Sequence, residues 1–442
     1  MQFTMRRRLV ATSIAVALGA TTLAACSSDS DGKDAAGSGP VSLTYWAWAP
    51  GMDKVAALWN KGPGKEAGIQ VTVKKQASGD ELVTKIITAA KAKKAPDLVQ
   101  AEYQAIPTLV SNDVLADITD DTKGAKDKFA PGIWQQVTLG TDSAYAIPQD
   151  SGPLMFYYRE DLFKKYKLSV PTTWDEFAET ARKLKKADSS KALTTFSAND
   201  SGLFAGLAQQ AGAKWWTAEG QKWKVAIDDA ATKKVADFWG GLVEEGAVDN
   251  QPMYTPAWNK ALNTGKQIAW VSAVWAPGVL TTAAPDTAGK WAMAPLPQWT
   301  KGENTTGSWG GSSTGITNDS QHKEAAAKFA TWLNTDEEAL AAMVKDGGIY
   351  PAATAAQTGG ALSKAPGFFS DQPDFYTKAA EIAKTTAPSA WGPNVNVAYT
   401  TFKDSFGKAA KAKKQSQFGS ALASMQDDTV ADLKKQGFEV AE

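Results

Sequence analysis

The chain has 442 residues with 47 basic and 47 acidic side chains, seventeen tryptophans, one histidine and one cysteine. That length exceeds one ordinary domain, so two lobes are the default expectation. Balanced charge gives no basic face for nucleic acid, one cysteine allows no internal disulfide, and no His/Cys cluster can hold zinc.

Arg6, Arg7 and Arg8 precede an uncharged apolar run over residues 9–25. This reads as a secretory signal peptide over residues 1–25, although its length also suits a short spanning helix. Cys26 follows in "LAAC", which resembles the bacterial lipobox, where the cysteine is lipidated and begins the mature chain. Residues 26–40 are then a lipidated tether, too polar to bury a core. Without the three arginines, 44 basic side chains stand against 47 acidic ones, a net charge of −3. No later stretch is long and apolar enough to span a membrane.

From Val41, "VSLTYWAW" alternates at strand period, with Leu43 and Tyr45 on one side and Thr44, Trp46 and Trp48 on the other. Met52, Val55 and Trp59 recur at helical spacing. "GIQVTVKKQ" is a second strand, "DELVTKIITAAKAKK" a helix with a Leu82, Val83, Ile86, Ile87 stripe, and "PDLVQAE" a short buried strand. A helix over about 104–111 follows. Such alternation builds a parallel sheet flanked by helices, with ligands beyond the carboxyl ends of the strands. Gln76, Gln100 and the residues to Tyr103 stand at those ends.

"GPLMFYYR" is the next strand. Thr173 with Glu176 forms a capping box opening a helix that carries Phe177, Ala181 and Leu184. Trp174 in that helix reads as packing. Helices are expected over 202–211, 230–245 and 257–262, then the buried strand "QIAWVSAVW", a Gly-rich loop, the strand "STGIT", and helices from Lys323, Asp336 and Phe375 and toward the C-terminus. The surplus of tryptophan suggests a ligand with flat apolar faces and a polar rim, as in a pyranose ring.

Several segments in one order carry a resemblance: "AIPQDSGPLMFYYREDLF", "PTTWDEF", "TGKQIAWVSAVWAPGVL", "GSWGGSSTGITNDSQHKEAAAKFATWLNT" and "GGIYPA". Together they resemble the extracellular solute-binding proteins of carbohydrate ABC importers, the maltose-binding-protein-like group, over essentially the whole mature chain. The resemblance implies an α/β fold of two lobes, each a mostly parallel sheet with flanking helices and the ligand between them. Expected lobes are 41–149 with 297–335, and 150–296 with 336–442. It also implies an oligosaccharide ligand, permease subunits as partners, a monomer, no cofactor and no catalysis. The protein would sit outside the cell membrane, anchored by lipid on Cys26.

Position and chemistry select the contacts. Trp46 and Trp48 end the first strand, and Trp275 follows a later one, where Ala276, Pro277 and Gly278 are expected to turn the chain. Trp309 precedes Gly310 and Gly311, whose missing side chains let backbone N–H groups approach a ligand. Tyr350 and Trp391 lie in segments that close over the sugar in relatives. Glu102 and Tyr103 end the third strand, Asp150 lies at the first crossing, and Asn199 with Asp200 lies in a strand–helix loop. Carboxylates accept from vicinal hydroxyls, while a helix cap is the competing role for Asp200. Trp270 is expected in the core. His322, in a polar helix start, reads as a solvated surface residue, so no Ser-His-Asp site is credible. A hydrolase carboxylate pair and a non-sugar solute such as a polyamine are the alternatives.

Overall fold

The computed structural model describes residues 40–441 apart from 78, 79, 140, 221, 358 and 359. The signal-peptide reading and Cys26 lie outside the described residues. The described strands, in chain order, are β1 (Val41–Ala47), β2 (Ile69–Lys75), β3 (Leu98–Glu102), β4 (Ala146–Pro148), β5 (Leu154–Arg159) and β6 (Trp216–Glu219). They continue with β7 (Lys222–Val225), β8 (Ala269–Ala273), β9 (Trp291–Pro295), β10 (Ser312–Ile316) and β11 (Glu439–Val440).

The first sheet has the order β2-β1-β3-β10-β4. Leu43, Tyr45 and Ala47 of β1 are buried while Trp46 is half-buried, the alternation that the pleat demands. β1 runs parallel to β2 and β3, with the helices Met52–Lys61 and Asp80–Lys91 as crossovers. Both cover the sheet with apolar stripes, Val55 and Trp59 on one and Leu82 and Ile86 on the other. β10 returns antiparallel to β3 and β4, because it enters from the opposite lobe.

The second lobe is built on β8-β5-β9, in which β5 is antiparallel to both neighbours. The two-lobed α/β architecture is the expected one, but the central sheet of this lobe is antiparallel. Among the described residues parallel pairing appears only at its margins, in β7 with β11 and in bridges such as Ala192 to Gln267 and Thr195 to Asp249. A third sheet, β11-β7-β6, joins a hairpin to the C-terminal strand. Its strands are two to four residues long, too short to show a period.

The segment Pro297 to Trp309 hydrogen-bonds to the second lobe: Gln210 Nε2 donates to the Pro297 carbonyl at 2.8 Å and the Leu154 amide to that of Gly307 at 2.9 Å. The helix Glu337–Gly347 packs on Met52–Lys61 of the first. Both segments therefore contact the lobe opposite to the one expected from the sequence. The chain passes between the lobes beside Asp150, again at Gly310 and Gly311, and a third time between Leu362 and Gly367.

Much of the tryptophan surplus is core. Trp174 is 1 % exposed; its Nε1 donates to Gln210 Oε1 at 3.0 Å and its ring packs on Phe177, Phe238, Trp239 and Trp299. The Thr173 hydroxyl caps its helix by accepting from the Glu176 amide. Glu176 reaches back to the amide and hydroxyl of Thr172, and the Thr173 amide also turns to its carboxylate. We expect Trp174→Ala to lower stability by about 3–5 kcal/mol in chemical denaturation, as large-to-small core changes do. A loss below about 1 kcal/mol, the scale of a typical point substitution, would contradict this packing.

Candidate functional site

The first-lobe wall lies at the carboxyl ends of β1 and β3. Half-buried Trp48 lines a small cleft with Leu82, Ile86, Gln100 and Glu102. Glu102 accepts a hydrogen bond from Gln104 at 2.7 Å. Trp46 stands apart from this group, with the Lys85 ammonium 5.0 Å over its ring and Lys85 bonded to Gln76.

At the crossing, Asp150 Oδ1 accepts from both the amide and the hydroxyl of Ser312, the hydroxyl at 2.6 Å. Burial pushes its carboxyl above the usual carboxylate value, and the two Ser312 bonds oppose that rise. Tyr103 is 1 % exposed and donates its hydroxyl to the Asp150 carbonyl at 2.8 Å, so in this structure it struts the crossing. Gly311 has φ 96°, and a Cβ there would lie 2.7 Å from the Tyr103 ring; only glycine meets both conditions. Gly310, at φ 75°, faces the Trp275 indole nitrogen. A Cβ on Gly152 would fall 2.1 Å from the Trp309 carbonyl oxygen, so the first two crossings run in backbone contact.

The second-lobe wall is aromatic. Trp275 and Trp309 meet edge to face at 4.7 Å, and Trp275 Nε1 donates to the Trp309 carbonyl at 3.1 Å. Trp275 follows β8, two residues beyond its end, but Ala276, Pro277 and Gly278 open the helix Ala276–Ala283 instead of turning the chain, proline being tolerated in a first helical turn. Trp270, 1 % exposed, backs both rings from the core.

Tyr254 completes the wall, and sequence reasoning missed it. It holds φ 62°, rare for a bulky side chain, and is the large hydrophobic residue left exposed among those described, at 46 %. Its ring lies 5.4 Å from Trp258 and 6.5 Å from Trp309. Its recess still desolvates the hydroxyl, which burial and the Asp200 charge hold well above the usual phenol value. The one signal was its place in "PMYTP", just before the Thr255 cap of Pro256–Asn263.

Asp200 caps the helix Ser201–Gln210 through the Leu203 amide and also takes a hydrogen bond from Trp309. Cap and wall residue are thus one position. Burial pushes its carboxyl up to about 6, against the pull of these donors and of Lys403. Exposed Asn199 accepts from the Ser197 hydroxyl and donates to the Met253 carbonyl at 3.1 Å, stapling this loop beside Tyr254.

Two selected aromatics lie deeper. Tyr350 is 3 % exposed and stacks on Tyr376, while its carbonyl accepts from the Ser151 amide. Trp391 is 9 % exposed, contacts Trp216 and Tyr399, and donates to Gln136 of the first lobe at 3.4 Å. His322 is exposed at the start of Lys323–Thr335. Among the described residues no His, Cys, Asp and Glu cluster suits a metal ion, and no helix is long and apolar enough to cross a membrane.

The sequence profile of the family described as bacterial extracellular solute-binding protein matches residues 45–340. The chain belongs to that family. Among relatives of this solute-binding protein, the lactose-binding protein of Rhizobium radiobacter is 26 % identical over 75 % of this chain and 79 % of its own. The arabinooligosaccharide-binding protein of Bacillus subtilis is 22 % identical over 76 % and 78 %. Among solved structures, the galacto-N-biose-/lacto-N-biose I-binding protein of the ABC transporter from Bifidobacterium longum, in complex with lacto-N-biose, superimposes with a TM-score of 0.81. It shares 27 % identity and covers 91 % of this chain and 99 % of its own. An ABC transporter associated binding protein from B. animalis subsp. lactis, in complex with β-1,6-galactobiose, gives 0.77 at 27 % identity, covering 91 % and 100 %. The family match includes Trp48, Tyr254, Trp275 and Trp309; Tyr350 and Trp391 lie beyond it.

The Asp200 carboxyl gives this solute-binding protein a pH signature. An ordinary aspartate titrates near 3.8 and the folded one at about 6, so between these values the native state holds the extra proton. Stability therefore falls as pH rises through that window, by on the order of 3 kcal/mol. Asp200→Asn keeps a capping side chain. We expect it to be more stable than the parent at pH 7.5 and equal to it at pH 3.5 in urea titrations. A difference independent of pH would contradict the assignment.

Proposed function

We propose that this solute-binding protein captures an oligosaccharide in the cleft between its lobes, by hinge closure, and delivers it to the permease of a carbohydrate ABC importer. The observation that carries this reading is the second-lobe wall: Tyr254, Trp275 and Trp309 beside the carboxylate of Asp200. Aromatic faces suit the apolar faces of a pyranose, and a carboxylate accepts from paired hydroxyls. The two relatives and two solved structures are named for or hold lactose, arabino-oligosaccharides, lacto-N-biose and β-1,6-galactobiose. We therefore assign a short oligosaccharide, with galactose-containing disaccharides as the first candidates.

In this reading Trp48 and Glu102 contact the sugar from the first lobe, and Asn199, Asp200, Tyr254, Trp275 and Trp309 from the second. Asp150, Gly310 and Gly311 meet it at the crossing, where Tyr103 sets the geometry. Tyr350, Trp391 and Trp46 complete the ligand set assigned from the sequence, at its margins. The first lobe is assigned to 41–149 and 312–362, and the second to 150–311 and 367–441. Only the closed form contacts sugar from both sides, so binding biases the hinge toward closure. Residues 1–25 serve as the signal peptide and lipid on Cys26 as the anchor, with Cys26→Ser expected to appear in the medium instead of the membrane fraction. A variant that stays in the membrane after signal cleavage would remove the anchor.

Calorimetry with lactose, lacto-N-biose, β-1,6-galactobiose, arabino-oligosaccharides and the matching monosaccharides tests the reading. We expect oligosaccharides to bind and monosaccharides to bind poorly; equal affinity for one unit would exclude an extended site. Trp275→Ala should lose about 2 kcal/mol or more of binding. Its stability loss should stay below the roughly 3–5 kcal/mol of a core tryptophan. A large fall in melting temperature with unchanged affinity would make Trp275 a packing residue.

A further inference from the structure

Gln100 of β3 is 1 % exposed and uses both ends of its carboxamide. Its Oε1 accepts from the backbone amides of Trp48 at 3.0 Å and Ala49 at 3.1 Å. Its Nε2 donates to the Ser312 hydroxyl at 3.0 Å, and that hydroxyl donates to Asp150 Oδ1 at 2.6 Å. The direction of this chain is forced. Backbone amides only donate, so Oε1 must face them and Nε2 must face Ser312. The Ser312 oxygen accepts from Gln100, which leaves its single proton for Asp150.

We propose that Gln100 is a positioning residue that sets the Trp48 turn and, through Ser312, the crossing carboxylate Asp150 as one unit. The proposal rests on the reading of Trp48 and Asp150 as ligand contacts. Three links, all made by buried or half-buried groups, join the end of β1 to the crossing, and the planar carboxamide supplies the acceptor and the N–H donor of the first two from one side chain. A carboxylate at position 100 still accepts from both amides but cannot donate. It takes the Ser312 proton instead, and Asp150 then keeps only the Ser312 amide while gaining a negative neighbour. Tyr45 and Tyr103 also face Asp150, and burial lifts both phenols far above the range in which a carboxylate titrates.

The test uses Gln100→Glu and Gln100→Met in the full chain, first without ligand. Gln100→Met should speed amide exchange at Trp48 and Ala49 by about tenfold or more, the scale of one lost buried hydrogen bond. Gln100→Glu should keep that protection while raising the Asp150 titration midpoint, read from its carboxyl carbon resonance, by about one unit. The isosteric variant keeps the test available if Gln100→Met does not fold. An unmoved Asp150 midpoint in Gln100→Glu, or undiminished protection in Gln100→Met, would overturn the proposal. With lacto-N-biose as the probe, both variants should bind about tenfold more weakly than the parent. Absence of binding by the parent speaks against that sugar as ligand, whereas the relay stands or falls on the two ligand-free results.

Discussion

Asp150 and Ser312 meet where two segments of the chain pass between the lobes, and the cleft is arranged around that contact. Ser312 opens β10, the strand that returns antiparallel into the first sheet, and its amide and hydroxyl both turn to one carboxylate oxygen. The carbonyl of Asp150 holds the Tyr103 hydroxyl, and Gly311 leaves room for the Tyr103 ring. On the far side of Asp150, Gly152 lies in backbone contact with Trp309 of the aromatic wall. A shift at the crossing therefore reaches both walls. A buried carboxylate with its charge opposed by burial is costly unless its donors are fixed, and here both donors come from one residue on the neighbouring crossing.

The second-lobe wall shows a stability cost retained at a surface open to solvent. Tyr254 holds a left-handed backbone conformation with its ring exposed, and Asp200 keeps a carboxyl raised by burial beside it. The left-handed tyrosine costs folding stability, and burial of the Asp200 charge offsets what its helix cap contributes. Strained backbone and perturbed carboxyls gather at functional sites because a site needs groups that a core would not choose. The staple from Asn199 to Met253 and the edge-to-face contact of Trp275 with Trp309 hold those groups in place without covering them.

Strand and helix periods made the α/β architecture legible, because Leu43 and Tyr45 or Leu82 and Ile86 bury at the spacing that their elements require. The direction of pairing in the second lobe was not legible, since β5, β8 and β9 come from segments far apart whose apolar runs look alike in either direction. The hairpin of β6 and β7 was too short to register. In the candidate site, the sequence showed Trp275 following a strand and Trp309 preceding a Gly-Gly pair, while their edge-to-face contact was not legible. Tyr254 could not be placed, because its exposure and positive φ belong to the folded chain. Asp200 shows a further limit: cap and wall residue look alike in sequence, and here one carboxyl holds both positions.

Small-angle scattering of the full chain with and without lacto-N-biose tests the central claim, that a sugar closes two lobes hinged at the Asp150 to Ser312 crossing. The account predicts a smaller radius of gyration on saturation and no change with galactose alone. Saturable binding of lacto-N-biose with an unchanged radius of gyration would contradict it.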